Sequence, residues 1–216
     1  MRAVAIVASG SGGQASVMLD ACHAAGVPVA GIIVADGSSN LERLKAPILG
    51  GPECLACTDF LREHAIGLGG GDAEFRRRFA LQVLERRGEL ATVVHPAATI
   101  SASAFLGAGS LLAAGAVVGP NARIGRFCII NTCASVDHDD VLEDGVNLSP
   151  GVHLAGTVTC REDCFLGIGA SVVPGVTIGR RSIVGAGATV IANVPDDVTV
   201  VGTPARPTRR QAASQP

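Results

Sequence analysis

From Val94 to about Val194 the chain keeps a six-residue period without interruption. Counting in sixes from Val94 through Ile100 and Leu106 to Val190 gives seventeen positions, and all but one are Val, Ile or Leu. The departure is Cys160, and a buried thiol packs as a small hydrophobe. Four residues after each of these comes a second small or apolar residue, from Ala98 and Ala104 on to Ala188, with Asp140 the clear exception. Glycine often follows the aliphatic residue, as in Leu106-Gly107 and Val118-Gly119. A period of six does not fit a straight α-helix, whose turn is about 3.6 residues. It fits a parallel β-helix with flat faces: three hexads close one coil, and coils stack at roughly 4.8 Å, the strand spacing of a sheet. The aliphatic residue then points into a narrow lumen and the small one sits where the chain turns a corner. Glycine and asparagine tolerate the backbone that corners require.

The residues before Val94 carry a different pattern. Arg2 to Ala8 reads as a buried strand, Ser9-Gly10-Ser11-Gly12-Gly13-Gln14 as a glycine-rich turn and Ala15 to Ala25 as a helix. A strand over Pro28 to Val34 leads to Asp36, and Pro47 to Leu49 is a short third strand. A helix over Glu53 to His64, a strand over Ala65 to Leu68, a helix over Ala73 to Arg87 capped by Asp72, and a last strand over Ala91 to Val94 follow. Alternating strands and helices give a small parallel, Rossmann-like sheet, and ligands sit at the carboxyl ends of such strands. Gly10, Gly12, Gly13, Asp36 and Gly71 all fall on that edge. Glycines let a backbone approach a ligand, and the following helix offers free N–H groups to a phosphate. Gly10-x-Gly12-x-x-Ala15 with Asp36 also matches a dinucleotide fingerprint. The domain is about half the size of a full dinucleotide-binding fold, which favours a nucleotide diphosphate over NAD.

The expected organisation is an α/β domain over 1–93, a β-helix over 94–206 and a disordered polar tail over 207–216. A net charge of −2 without a basic face argues against nucleic acid, and the absence of Trp and Tyr leaves little for stacking on bases or sugars. No apolar run reaches the roughly 20 residues that span a bilayer. Seven scattered cysteines and no signal peptide point to free thiols in a reducing cytoplasm. Cys54-Leu55-Ala56-Cys57 is a lone CxxC, without the second ligand pair that zinc needs or a thioredoxin pattern.

Within the repeat, chemistry is expected where the pattern breaks, at Ser135-Val136-Asp137-His138-Asp139-Asp140. His138 takes the third place of its hexad, an outward-facing corner. Three hexads on, one coil above, Gly156 leaves room over the imidazole. Asp139 or Asp137 could hold one ring nitrogen and raise the histidine's basicity, giving a base with its orienter. The plainer reading of these charges is a solvated corner or an adventitious cation site. Asn147 is a second break, and His153 a weaker competitor as base. A metal site would need three well-spaced histidines; His95, His138 and His153 include no close pair, so no metal is expected.

With these residues in view, Val4 to Arg206 resembles the bacterial nucleotide-sugar N-acetyltransferases that modify a 4-amino sugar, with their sialic-acid O-acetyltransferase relatives. The matching stretches are Gly10-Ser11-Gly12-Gly13-Gln14, Val34-Ala35-Asp36, Gly71-Asp72-Ala73-Glu74, Val94-His95-Pro96, Asn131-Thr132 through Val136-Asp137-His138-Asp139, Leu154-Ala155-Gly156, Phe165-Leu166-Gly167-Ile168-Gly169 and Gly202-Thr203-Pro204-Ala205. The resemblance implies a homotrimer of left-handed β-helices, with His138 as general base and Asp139 as the acid that raises its basicity. It implies acetyl-CoA between subunits near Asn147, Gly156, Ile168 and Ala186, and a nucleotide sugar held by Gly12, Gly13, Gln14 and Asp36. The family commonly has histidine where this chain has Gln14, and often where it has Asn147. The expected activity is acetyl transfer from acetyl-CoA to the amine of a UDP- or GDP-linked amino sugar. Sugar O-acetylation and a non-catalytic nucleotide-sugar-binding scaffold are the alternatives.

Overall fold

The computed structural model describes residues 2–36 and 41–208, with the side chain of residue 42 left out. The first part is a parallel sheet of five strands in the order β3-β2-β1-β4-β5, formed by Ala3–Ala8 (β1), Val29–Val34 (β2), Ile48–Gly50 (β3), His64–Leu68 (β4) and Glu89–Leu90 (β5). Strand β1 is central and buried from Val4 onward, as its unbroken apolar run requires. Helices α1 (Gly13–Ala24), α2 (Thr58–Glu63) and α3 (Ala73–Glu85) connect the strands. Asp72 caps α3, accepting the Phe75 N–H at 2.8 Å.

Two local expectations change. The helix expected over Glu53 to His64 is broken: a 3₁₀ turn over Pro52–Ala56 is followed by extended backbone at Cys57, and only then by α2. Leu55 and Leu61 are both buried in the same cluster, yet a continuous helix from one to the other would put them on different faces. The break turns both inward. Of the strand expected over Ala91 to Val94 only Val93–Val94 (β6) is one, and it pairs with Leu111–Leu112 as the first rung of the repeat; the last strand of the sheet, β5, ends before Ala91 and pairs with β4.

The repeat forms a left-handed parallel β-helix. The first face runs from β6 through Asn147–Leu148 and Phe165–Leu166 to Ile183–Val184, and ends in Thr199–Val201 and the antiparallel Arg206–Pro207. The second face carries Ser135–Val136 and His153–Leu154, and the third carries Val141–Leu142 and Thr159–Cys160. Neighbouring strands on one face are separated by three hexads, one full coil: Val117 pairs with Ser135, and Arg123 with Val141. Both the aliphatic and the small series line the lumen; Leu142, Val146 and Leu148 are each at most 1% exposed.

The corners have their own period. Every sixth residue from Gly109 to Gly187 has positive φ, Asn121, Asp139 and Thr157 among them. The glycines that follow the aliphatic residue serve another purpose. A Cβ on Gly119 would meet the backbone of Asp137 and His138 in the next coil, at 2.9 and 3.0 Å. They allow coils to approach rather than turn.

Pro207 and Thr208, counted with the tail in the sequence, are held by the repeat: Thr208 donates its N–H to Thr199 O at 2.9 Å. Residues 209–216 lie outside the described residues. Among the described residues no helix is long and apolar enough to cross a membrane.

Candidate active site

His138 stands on the corner between the second and third faces. Its Nδ1 is 2.9 Å from Asp139 Oδ2, in a pair about half exposed on both sides. Asp139 can turn back on its neighbour because it occupies the left-handed corner position, φ 59°. Its N–H donates to Pro120 O, one coil below, and its Oδ1 accepts from Asn121 Nδ2 at 3.1 Å. The hydrogen bond to Asp139 raises the His138 pKa above its ordinary value. The bonds from His138 and Asn121 lower that of Asp139. Above the ring, a Cβ on Gly156 would collide with Nε2, Cε1 and Cδ2 of His138. The imidazole therefore lies flat across that glycine, with Nε2 on the side away from Asp139. Asp137 does not share the ring; its Oδ1 accepts the His138 backbone N–H at 2.6 Å. Such an arrangement can take a proton on Nε2 while the carboxylate fixes the tautomer and stabilises the imidazolium.

The residues expected to hold a nucleotide gather at the carboxyl edge of the first sheet. Gly10 N–H donates to Asp36 Oδ2 at 2.9 Å, joining the ends of β1 and β2. Gly12, φ 65°, precedes α1 and Gly13 begins it. Gln14 Oε1 accepts from Asn131 Nδ2 at 3.5 Å, and Gln14 Nε2 is buried without a partner among the described residues. Gly71 is engaged elsewhere. Its carbonyl accepts from Arg76 Nη1 at 2.7 Å and from Asn147 Nδ2 at 2.9 Å, at the junction of the two domains.

Sequence reasoning missed Arg76, which organises that junction. It is 1% exposed, and also donates to Phe127 O at 2.9 Å and Gly145 O at 2.6 Å. Burial pushes its pKa down to about 10. Nothing in the sequence separates it from Arg77 and Arg78. Arg77 instead pairs with Asp163 through two hydrogen bonds of 3.0 Å. Asn121, the other omission, was findable, because it lies one coil before Asp139.

The residues expected around acetyl-CoA do not form one site in a single chain. Gly156 is with His138. Ile168 and Ala186 are exposed, one above the other in successive coils, on the corner between the first and second faces. Asn147 points from the first face into a cleft of about 580 Å³ lined by Gly71, Glu74, Arg77, Phe165 and Ile183, and its Oδ1 is buried without a partner among the described residues. His153 is bound to Ser135 Oγ at 2.8 Å, apart from His138.

A β-helix of hexads with a carboxylate-backed histidine on one corner defines an acyltransferase of the hexapeptide-repeat class. Residues 157–192 match the model of the bacterial transferase hexapeptide, six repeats. The GDP-perosamine N-acetyltransferase of Escherichia coli O157:H7 is 32% identical over 167 residues, which span 74% of this chain and 75% of that one. A crystal structure of a histidine-to-alanine variant of the Caulobacter crescentus GDP-perosamine N-acetyltransferase, with CoA and GDP-perosamine, superposes with a TM-score of 0.88 at 36% identity, covering 97% of this chain and 98% of that one. A putative acetyltransferase of Schizosaccharomyces pombe matches over 60 residues at 38% identity, only 29% of its own length. The chain belongs to the hexapeptide-repeat acyltransferases, in the group that contains the nucleotide-sugar N-acetyltransferases.

Proposed function

We propose that this protein transfers the acetyl group of acetyl-CoA to the amine of a nucleotide-linked 4-amino sugar, with GDP as the carrier. The observation that carries this is the His138–Asp139 pair laid over Gly156. It is a base poised at a surface corner, in a chain similar along its length to GDP-perosamine N-acetyltransferases. The sequence alone leaves UDP and GDP open with UDP slightly ahead; the GDP-linked relatives favour GDP instead.

The arrangement of the domains supports a shared site. The N-terminal domain covers the first face, from Asn131 at one edge to Phe127 and Gly145 at the other. His138 stands on the opposite corner of the triangular section. A sugar anchored by Gly10, Gly12, Gly13, Gln14 and Asp36 of one chain therefore meets His138 of another. A cyclic homotrimer satisfies this with three equivalent sites. The same seam brings Asn147, Ile168 and Ala186 of one chain to His138 and Gly156 of the next, where acetyl-CoA lies. The amine nitrogen attacks the thioester carbon, His138 Nε2 takes a proton from the amine, and the C–S bond breaks to release CoA. Asp139 holds the imidazolium so formed. The setting is the cytoplasm, where acetyl-CoA and nucleotide sugars are both supplied.

The test is free-thiol release from acetyl-CoA with GDP-perosamine, its UDP and dTDP counterparts, and a matched 4-hydroxy sugar. Release with the GDP-linked amine is expected. Release only with the hydroxyl compound would make the enzyme an O-acetyltransferase, and binding with no release would make it a scaffold.

A further inference from the structure

One rung of the β-helix is interrupted, and it lies between the coil of the candidate base and the coil that carries Gly156. The residue after each aliphatic position donates its N–H to the carbonyl at the aliphatic position one coil on: Gly119 to Val136, Asn131 to Leu148, Glu143 to Cys160 and Ala155 to Val172, all at 2.8–3.0 Å. Asp137 departs from this series. Its N–H goes to Asp140 Oδ2 at 2.8 Å, and Ser135 pairs with His153 while the neighbouring pair, Val136 with Leu154, is missing. Asp140 is fully buried, in the position that Ala134, Val146, Val152 and Val158 fill with apolar side chains. Its other oxygen accepts the Val158 N–H at 2.7 Å, just past Gly156 in the chain.

We propose that Asp140 is a positioning residue for acyl transfer: its buried carboxylate replaces a carbonyl of the ladder, parts the two coils before His138, and pins the His138 turn to the coil that carries Gly156. The proposal rests on the assignment of His138 as the base. A carboxylate is suited to this because it accepts in two directions and donates in none. An alanine or valine would let Asp137 return to Leu154 and close the gap. Serine would do half the work. Ser110, in the same lumen position one and two-thirds coils earlier, accepts the N–H one coil above, from Cys128, at 3.0 Å, and donates to Gly125 O. The carboxylate also acts on the ring, since Asp140 stands with Asp137 and Asp139 among the charges that raise the His138 pKa. Burial pushes the Asp140 pKa itself up to about 6, against the opposing pull of the Val158 and Asp137 N–H groups and, more weakly, of His138.

The experiment uses Asp140→Val and Asp140→Ser in the full chain, with His138→Gln as control. Both Asp140 variants keep the fold, because the repeat already accepts valine and serine in that lumen position. Turnover of acetyl-CoA with GDP-perosamine is expected to fall about 10–100-fold, the effect of a displaced catalytic group. KM for either substrate should change by no more than about two-fold, the mark of an interaction made in the transition state. The His138 ring, followed by NMR, should titrate at lower pH than in the wild type. Unchanged turnover with an unmoved His138 titration would overturn the proposal. So would a fall in turnover accompanied by a lower melting temperature and an unmoved titration, which assigns Asp140 to the fold alone. Full activity in His138→Gln would refute the base assignment instead, and the ring titration in the Asp140 variants would still report on the pinning.

Discussion

The imidazole of His138 occupies the space that a side chain on Gly156 would need. One coil separates the two residues, so the helix repeat itself stacks the ring on the glycine. Gly156 does not have a left-handed backbone, so an alanine there meets the His138 ring before any other group. Gly156→Ala is expected to keep the melting temperature and lower turnover about 100-fold, because the ring must swing off Asp139 or off its resting place. A variant with normal turnover would show that the ring works from another position.

His138→Ala removes the proposed base while leaving the lumen untouched. A general base contributes about 10²–10⁴-fold, so turnover should fall by that order with oligomeric state unchanged. Steady-state kinetics on the purified variant checks this.

Asp139→Asn tests the coupling by pH. The working form of His138 is neutral, so the rate is full above its pKa and falls below it. Asp139 raises that pKa, and its removal should move the acid limb of the profile to lower pH while reducing the plateau less than His138→Ala does. Asn121→Ala, which frees Asp139 Oδ1, should reduce the plateau more weakly still. An acid limb that stays in place in Asp139→Asn would contradict the pairing.

Asp140 makes stability depend on pH in the opposite sense to most carboxylates. Its folded pKa of about 6 lies above the ordinary range, so its contribution is fully present below about pH 4 and is lost as pH rises through 6. The shift of about two units amounts to roughly 3 kcal/mol against the fold at neutral pH. Relative to Asp140→Val, the wild type should gain stability as pH falls from 7 to 5, read by urea unfolding. A constant difference across that window would be inconsistent with the buried carboxylate.

Arg76→Met keeps much of the side-chain volume and removes every donor. The carbonyls of Phe127 and Gly145 would lose a buried partner where the β-helix meets the α/β part, at about 1–3 kcal/mol for each left unsatisfied, while Gly71 O keeps Asn147 Nδ2. A loss of roughly 3 kcal/mol or more in denaturant unfolding is expected from those terms. A loss under about 1 kcal/mol would show that water replaces the guanidinium.

What could be read in advance follows from periodicity. Residues three hexads apart are neighbours in a three-hexad coil, so His138, Gly156 and Pro120 could be placed together from the sequence, and the glycine cradle at β1 could be placed by the end of its strand. The docking of the N-terminal domain could not. Arg76 reaches Phe127 and Gly145, and Asn147 reaches Gly71, across separations of 51 to 76 residues that obey no repeat. Gly71 and Asn147 were for that reason singled out as ligand contacts without their mutual bond. Asp140 was visible as a break in the pattern. Its bond to Asp137 was not, since ladder pairing is otherwise uniform and the sequence marks no missing rung.

The most direct measurement mixes two inactive chains. One carries His138→Ala; the other carries an Asp36→Ala and Gly12→Val cradle. If the base of one protomer serves the cradle of the next, the randomly co-assembled mixture as a whole should regain about one quarter of wild-type activity, the fraction of all seams with both halves intact around a cyclic trimer. Activity no higher than that of the separate variants would place base and cradle within one chain and contradict the account.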